Sequence, residues 1–226
     1  MAREVRTLEL PSLLQQSWLG RGLMVVQGHQ VRLFLALLDR PQVARMLEKD
    51  GCYTLADRYL LATTFVYFKR AELPLEDYSE RNFWLALYLA HDQEEDDDHT
   101  KFDLLPWALG PQWSTFYQAM MADKEELWQR MGHRSLVSRR QCDQVIALSA
   151  SAAAWTRTRT AGHGGVLRRS SEEQYVPRGP DRPGCGRCCE VLQVDTRGEQ
   201  EEPIVIITIS DTDTDEEEEI CIFALD

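Results

Sequence analysis

The chain has 226 residues and a formal net charge of -12, with a mass of 26.1 kDa. Its 43% of hydrophobic residues is enough to bury one core, which excludes a wholly unstructured chain. So acidic a chain is a poor general binder of nucleic acid, because phosphates reward Lys and Arg, and it suits basic partners instead.

The charge is unevenly placed. Residues 1–150 carry 17 basic against 21 acidic side chains, a net of -4. Residues 151–198 carry 8 against 5, a net of +3, and residues 199–226 carry none against 11, a net of -11. The acidity is therefore largely a property of the last segment. The most apolar stretch, residues 59–68, is far shorter than the ~20 residues of a bilayer span. No apolar leader with a small-residue cleavage site opens the chain, and the six Cys are scattered. The expectation is an intracellular, reduced protein with no membrane and no nucleic acid among its partners.

In chain order, residues 1–28 show little periodicity and read as a flexible lead. Val31, Phe34, Leu35 and Leu38 then fall at helical spacing and stop at Pro41. Val43, Met46 and Leu47 resume the pattern behind a proline that suits a first helical turn. Thr54 and Asp57 fit a capping box, with Thr54 as N-cap of an apolar helix from Leu55 to Arg70. That helix is apolar on most faces, so it belongs at the centre of a bundle. Lys69 and Arg70 suit its C-terminus, and Pro74 prevents continuation.

Ser79 can cap a helix from Glu80 to Ala90. The carboxylates Glu94 to Asp98 repel one another and predict an exposed acidic loop. Leu104 to Gly110 is a short apolar piece. Trp113, Phe116, Tyr117, Met120, Met121, Leu127 and Trp128 mark an amphipathic helix, and a last helix spans Ser138 to Ser149. No β-alternation appears before residue 190. The expectation is an all-α bundle of five to seven helices over residues 29–150. Residues 151–198, rich in Gly, Pro and Arg, predict a mobile or peripherally docked tail. Residues 199–226 form an acidic segment around one β-branched run, and the C-terminal tail as a whole is expected to be largely disordered.

Enzyme signatures are absent: no G-x-S-x-G, P-loop, H-E-x-x-H or Gly-rich dinucleotide turn. The five His are dispersed in mostly polar surroundings, and no cofactor is expected. Asp50 and Asp57 flank the start of the central helix. Either Asp57 caps it and Asp50 is a solvated turn residue, or both face a partner's arginine, which a carboxylate can bind bidentately. The acidic run lacks the spacing of a calcium loop. Cys185 and Cys188 make one C-x-x-C half-site where zinc normally needs two. Its nearest complements, His163 and Cys221, are poorly spaced, so thiols without metal are expected. Ile204, Val205, Ile206 and Ile207, followed by Ser210 and a run of acids, resemble a SUMO-interacting motif, suited to adding a strand to a partner's sheet edge.

Several longer stretches carry a family resemblance: Leu55 to Ala71, Asn82 to Ala90, Glu94-Glu95-Asp96, Pro106 to Gly110 and Val137-Ser138-Arg139-Arg140. In this order they resemble the Speedy/RINGO family, from about Val31 to Ile146 and more weakly to Pro177-Arg178-Gly179-Pro180. The resemblance implies a cyclin-box-like fold and a non-enzymatic activator of cyclin-dependent kinases, acting in the nucleus with the cytoplasm as a second location. Such activators order the kinase activation loop without its phosphate. The resemblance implies that Asp57 reaches the kinase's arginine cluster, that Asp50 is needed for kinase binding, and that Glu94, Glu95 and Asp96 face the activation loop. Two departures stand out. The acidic loop, Glu-Glu-Asp-Asp-Asp-His-Thr, is less Glu-rich than the family's, and Asp50-Gly51-Cys52-Tyr53 replaces a Cys-rich stretch. An adaptor that binds a kinase without activating it, with a tail that recruits SUMO-bearing proteins, is the alternative.

Overall fold

A computed structural model describes residues 24–95, 98–160, 162–163, 175–182 and 184–185. The described residues are helical and contain no strand. In chain order the helices are α1 (Gly28–Leu38), α2 (Pro41–Lys49), α3 (Arg58–Arg70), α4 (Glu80–Glu94), α5 (Asp98–Phe102), α6 (Leu105–Leu109), α7 (Trp113–Arg130) and α8 (Arg139–Ala147). Short 3-10 turns lie at Leu75–Asp77 and Ala153–Thr156. The all-α expectation holds, with single-turn α5 and α6 beyond the helices that spacing predicts.

Helix α3 is the axis. Every residue from Leu60 to Phe68 is buried, because α4 packs on one side and α8 on another, with the 153–156 turn against it as well. A helix covered all round must satisfy its polar side chains internally. Thr64 does so by donating its hydroxyl to the Leu60 carbonyl at 2.7 Å, and Thr63 lies 3.6 Å from the Cys142 sulfur. Burial raises the Cys142 thiol to about 11. Helix α1 is pinned by Phe34, whose ring meets Phe65 and Phe68 edge-on at 5.3 and 5.6 Å.

The start of α3 differs from the sequence expectation. The N-cap is Asp57, not Thr54: its Oδ1 accepts from the Tyr59 and Leu60 amides, both at 2.9 Å. The amides of Thr54, Leu55 and Ala56 are drawn instead to the Asp50 carboxylate at 2.9–3.2 Å. This second set of partners keeps residues 54–56 out of the helix. Asp50 is correspondingly buried, at 5% exposure, and is not a solvated turn residue.

The acidic run is also not one exposed loop. Helix α4 extends through Glu94, and Asp98 opens α5. Asp92 explains why a helix survives so close to the carboxylates. It pairs with Lys101 at 2.7 Å and with Lys124, tying α4 to α5 and α7. Burial works against this charge, but the two ammonium groups outweigh it and hold the Asp92 pKa below its ordinary value. Ser138 caps α8 in a reciprocal box with Gln141.

Past residue 150 the chain returns along the bundle. Trp155 is 4% exposed. Further on, Asp103 accepts from the Arg178 amide at 2.6 Å and from the Tyr175 hydroxyl. Gly179 lies so close to the Pro106 ring that a Cβ there would collide with it. The residues of the SUMO-like run, Ile204 to Ile207, lie outside the described residues, as does Asp96.

Candidate functional site

The acids singled out by sequence gather where the loop of residues 50–57 meets the end of α4. The side chains that organise them come from far along the chain. Residues 156–160 read Thr-Arg-Thr-Arg-Thr. In an extended segment that alternation puts Arg157 and Arg159 on one side, and both face the acids while Thr158 and Thr160 are exposed. The segment is held by its backbone too: the Arg58 amide donates to the Arg157 carbonyl at 2.8 Å and the Thr160 amide to Cys52 at 3.3 Å.

Arg157 closes the first half of the site. Its guanidinium lies 3.0 Å from Asp50 Oδ2, and it donates to the carbonyls of Ala56 at 2.6 Å and Leu47 at 2.9 Å. It also stacks over the Tyr53 ring at 4.5 Å. Burial lowers the Arg157 pKa, opposed by the Asp50 charge. Asp50 therefore receives three backbone N–H groups and one guanidinium, and its carboxylate is engaged inside the fold.

Arg159 forms the second half. It meets Glu95 with two parallel bonds, at 2.9 Å to Oε2 and 2.6 Å to Oε1, and reaches Asp57 Oδ2 at 3.0 Å. Burial works against its charge, but the two carboxylates outweigh it and raise its pKa. Asp57 thus caps α3 with one oxygen and binds a guanidinium with the other. Glu94 is exposed beside this cluster. Its pKa is raised first by desolvation and next by the neighbouring Glu95 carboxylate.

His91 sits beneath the cluster, 1% exposed, with Nε2 2.8 Å from the Leu55 carbonyl. That contact sets the neutral tautomer with the proton on Nε2. Burial lowers its pKa. Its Nδ1 has no hydrogen-bond partner among the described residues.

The structure brings Asp50, Asp57, Glu94 and Glu95 into one neighbourhood. Sequence spacing missed the two arginines, whose only local signal was the period-two alternation. The arrangement is a carboxylate pair, Asp57 and Glu95, shaped around a planar guanidinium.

A family model for the Spy1 cell cycle regulatory proteins matches residues 29–159, a span that includes both arginines. The chain is 42% identical to human Speedy protein C over 173 residues, which is 75% of this chain and 63% of that protein. It is 39% identical to rat Speedy protein A over 158 residues, 70% of this chain and 51% of that protein. Mouse Speedy protein E4A is 33% identical over 142 residues, 62% of this chain and 52% of that protein. The chain thus spans between about half and just under two thirds of the length of these relatives.

Proposed function

From the premise that the chain belongs to the Speedy family of cell cycle regulatory proteins, we propose that it binds a cyclin-dependent kinase in the manner of a cyclin and activates it without activation-loop phosphorylation. The observation that carries this reading is the guanidinium site of Asp57 and Glu95, with Glu94 exposed beside it. An activation-loop phosphate works by tying together kinase arginines. Carboxylates already spaced for a planar guanidinium can take over part of that task.

In this reading Asp57, Glu95, Glu94 and Asp96 meet kinase arginines. The partner's arginine joins or displaces Arg159. Asp50 acts through the loop it organises, since its own oxygens are engaged, so it is a positioning residue. Binding shifts the kinase toward its active state by the difference in affinity for the two states. The setting is nuclear. The run Ile204 to Ile207 adds a strand to SUMO, which a pull-down with these four residues changed to Ala tests directly.

The kinase test uses unphosphorylated kinase and the full chain, with Asp57→Asn as the informative variant. Asn keeps an N-cap and removes the charge. Activation should fall by about tenfold or more, the loss of one charge-assisted hydrogen bond, while binding changes less. Equal activation by Asp57→Asn and wild type sinks this role for Asp57. The occupation of the site by Arg159 favours a second reading, an adaptor that binds the kinase while its acids stay closed. Wild-type chain that binds the kinase with no gain in activity selects the adaptor.

A further inference from the structure

Three stretches distant in sequence meet at one point. Cys52 lies in the loop after α2, His163 a few residues past Arg157 and Arg159, and Cys185 a few residues past the stretch docked on Asp103. A ligand atom from each, two thiol sulfurs and an imidazole nitrogen, lies within 4.8 Å of the other two, and all three residues are half-buried. A tetrahedral zinc ion with bonds of about 2.0–2.3 Å holds its ligand atoms about 3.5–3.8 Å apart. Closing on an ion therefore needs movements of about 1 Å, within the reach of side-chain rotation.

We propose that Cys52, His163 and Cys185 form a zinc site that staples the two returning segments to the loop of Asp50. The donor set selects the metal. Thiolate and imidazole together suit zinc, whereas calcium and magnesium require oxygen ligands. The site also has the placement of a structural one. The Thr160 amide donates to the Cys52 carbonyl at 3.3 Å, which already brings the first segment to the loop. The first segment is anchored upstream by Arg157 and Arg159, and the second by Arg178 on Asp103. An ion joining His163 and Cys185 to Cys52 closes long loops, and a cross-link restricts the unfolded chain most where the loop is long.

The three ligands leave one tetrahedral position. In the sequence Cys188 follows Cys185 at C-x-x-C spacing and lies outside the described residues. Sequence alone offered this pair as half a site. The structure instead sets Cys185 beside one thiol from residue 52 and one imidazole from residue 163. Binding releases the thiol protons, so affinity falls as the pH is lowered.

The test uses the full chain purified under reducing conditions without chelator. Metal analysis should find about one zinc per chain. Cobalt titrated into the metal-free protein should develop thiolate-to-cobalt charge transfer and the visible bands of a tetrahedral ion, saturating at one equivalent. Cys52→Ser, His163→Ala and Cys185→Ser should each weaken binding by about tenfold or more, while Cys142→Ser, remote and buried, should not. Removing zinc should accelerate amide exchange over residues 157–163. A wild-type chain that shows no thiolate-cobalt band overturns the proposal without reference to any variant. So does undiminished binding in both Cys52→Ser and His163→Ala, which puts the ion on the C-x-x-C pair alone. So does a Cys52–Cys185 disulfide, found by mass spectrometry, in protein that takes up no metal. None of these outcomes depends on kinase activation, so this site and the kinase reading fail separately.

Discussion

Asp57 carries two tasks on two oxygens, and substitution can separate them. Asp57→Ala loses the cap of α3 and should lower stability by about 1 kcal/mol in urea unfolding, whereas Asp57→Asn should lose far less. Asp50 is a different case, because it is the one carboxylate within bonding distance of Arg157 among the described residues. Asp50→Ala leaves that guanidinium without its counter-charge and three loop amides without their acceptor, and should lower stability by about 3 kcal/mol or more. His91 adds a pH dependence. Its folded pKa is lowered by burial, so below the ordinary His value the unfolded chain takes up a proton that the folded chain does not. Its contribution is complete above about pH 6.5 and is lost as pH falls below that toward the folded value. The urea midpoint should drop between about pH 7.5 and pH 5.5, and drop less in His91→Gln. An equal drop in both proteins removes His91 as the cause.

At the scale of elements, α3 shows why the apolar pattern could be read so far and no further. Its lack of a polar face marks it as central, and it is central. Leu61, fully buried where α3 is enclosed, should lose about 2–5 kcal/mol on change to Ala. A denaturant midpoint hardly altered by Leu61→Ala contradicts a tightly packed axis. The residues before α3 were less legible. Thr54 has the right type and spacing for an N-cap, and only the arrival of the Asp50 carboxylate at three consecutive amides moves the cap to Asp57. Likewise the run Glu94 to Asp98 looks like a solvated loop until Lys101 and Lys124 are seen to hold Asp92 and steady the end of α4. Ser79 and Pro41 stand where local rules place them, because a cap or a first-turn proline acts within a few residues of itself.

At the scale of the whole molecule, the net charge of -12 conceals its own distribution. Asp50, Asp57 and Glu95 of the bundle are met by arginines from beyond residue 150 and Asp92 by two lysines, and most of the excess charge lies in residues 199–226. The segment after residue 150 belongs energetically to the bundle. It supplies Trp155, Arg157 and Arg159, which cover α3 and neutralise Asp50, Asp57 and Glu95. A chain ending at residue 150 should therefore be less stable by about 3 kcal/mol or more than one ending at residue 163, with both compared in urea under metal-free conditions. Equal midpoints would show that the contacts of Arg157 and Arg159 contribute nothing net.

What the sequence determined by itself was the helical class, the central position of α3 and the resemblance to Speedy proteins. Those rest on periodicity, local capping and ordered motifs, all of which are carried by neighbouring residues. What only the tertiary structure decided was the company each acid keeps. Asp50 meets Arg157, Asp57 and Glu95 share Arg159, and Cys52 faces His163 and Cys185. These partners are separated by between 64 and 107 residues for the ion pairs of Glu95 and Asp50. No local pattern encodes a pairing at that distance. It follows from the path of the returning chain over a bundle whose shape is set by its buried side chains.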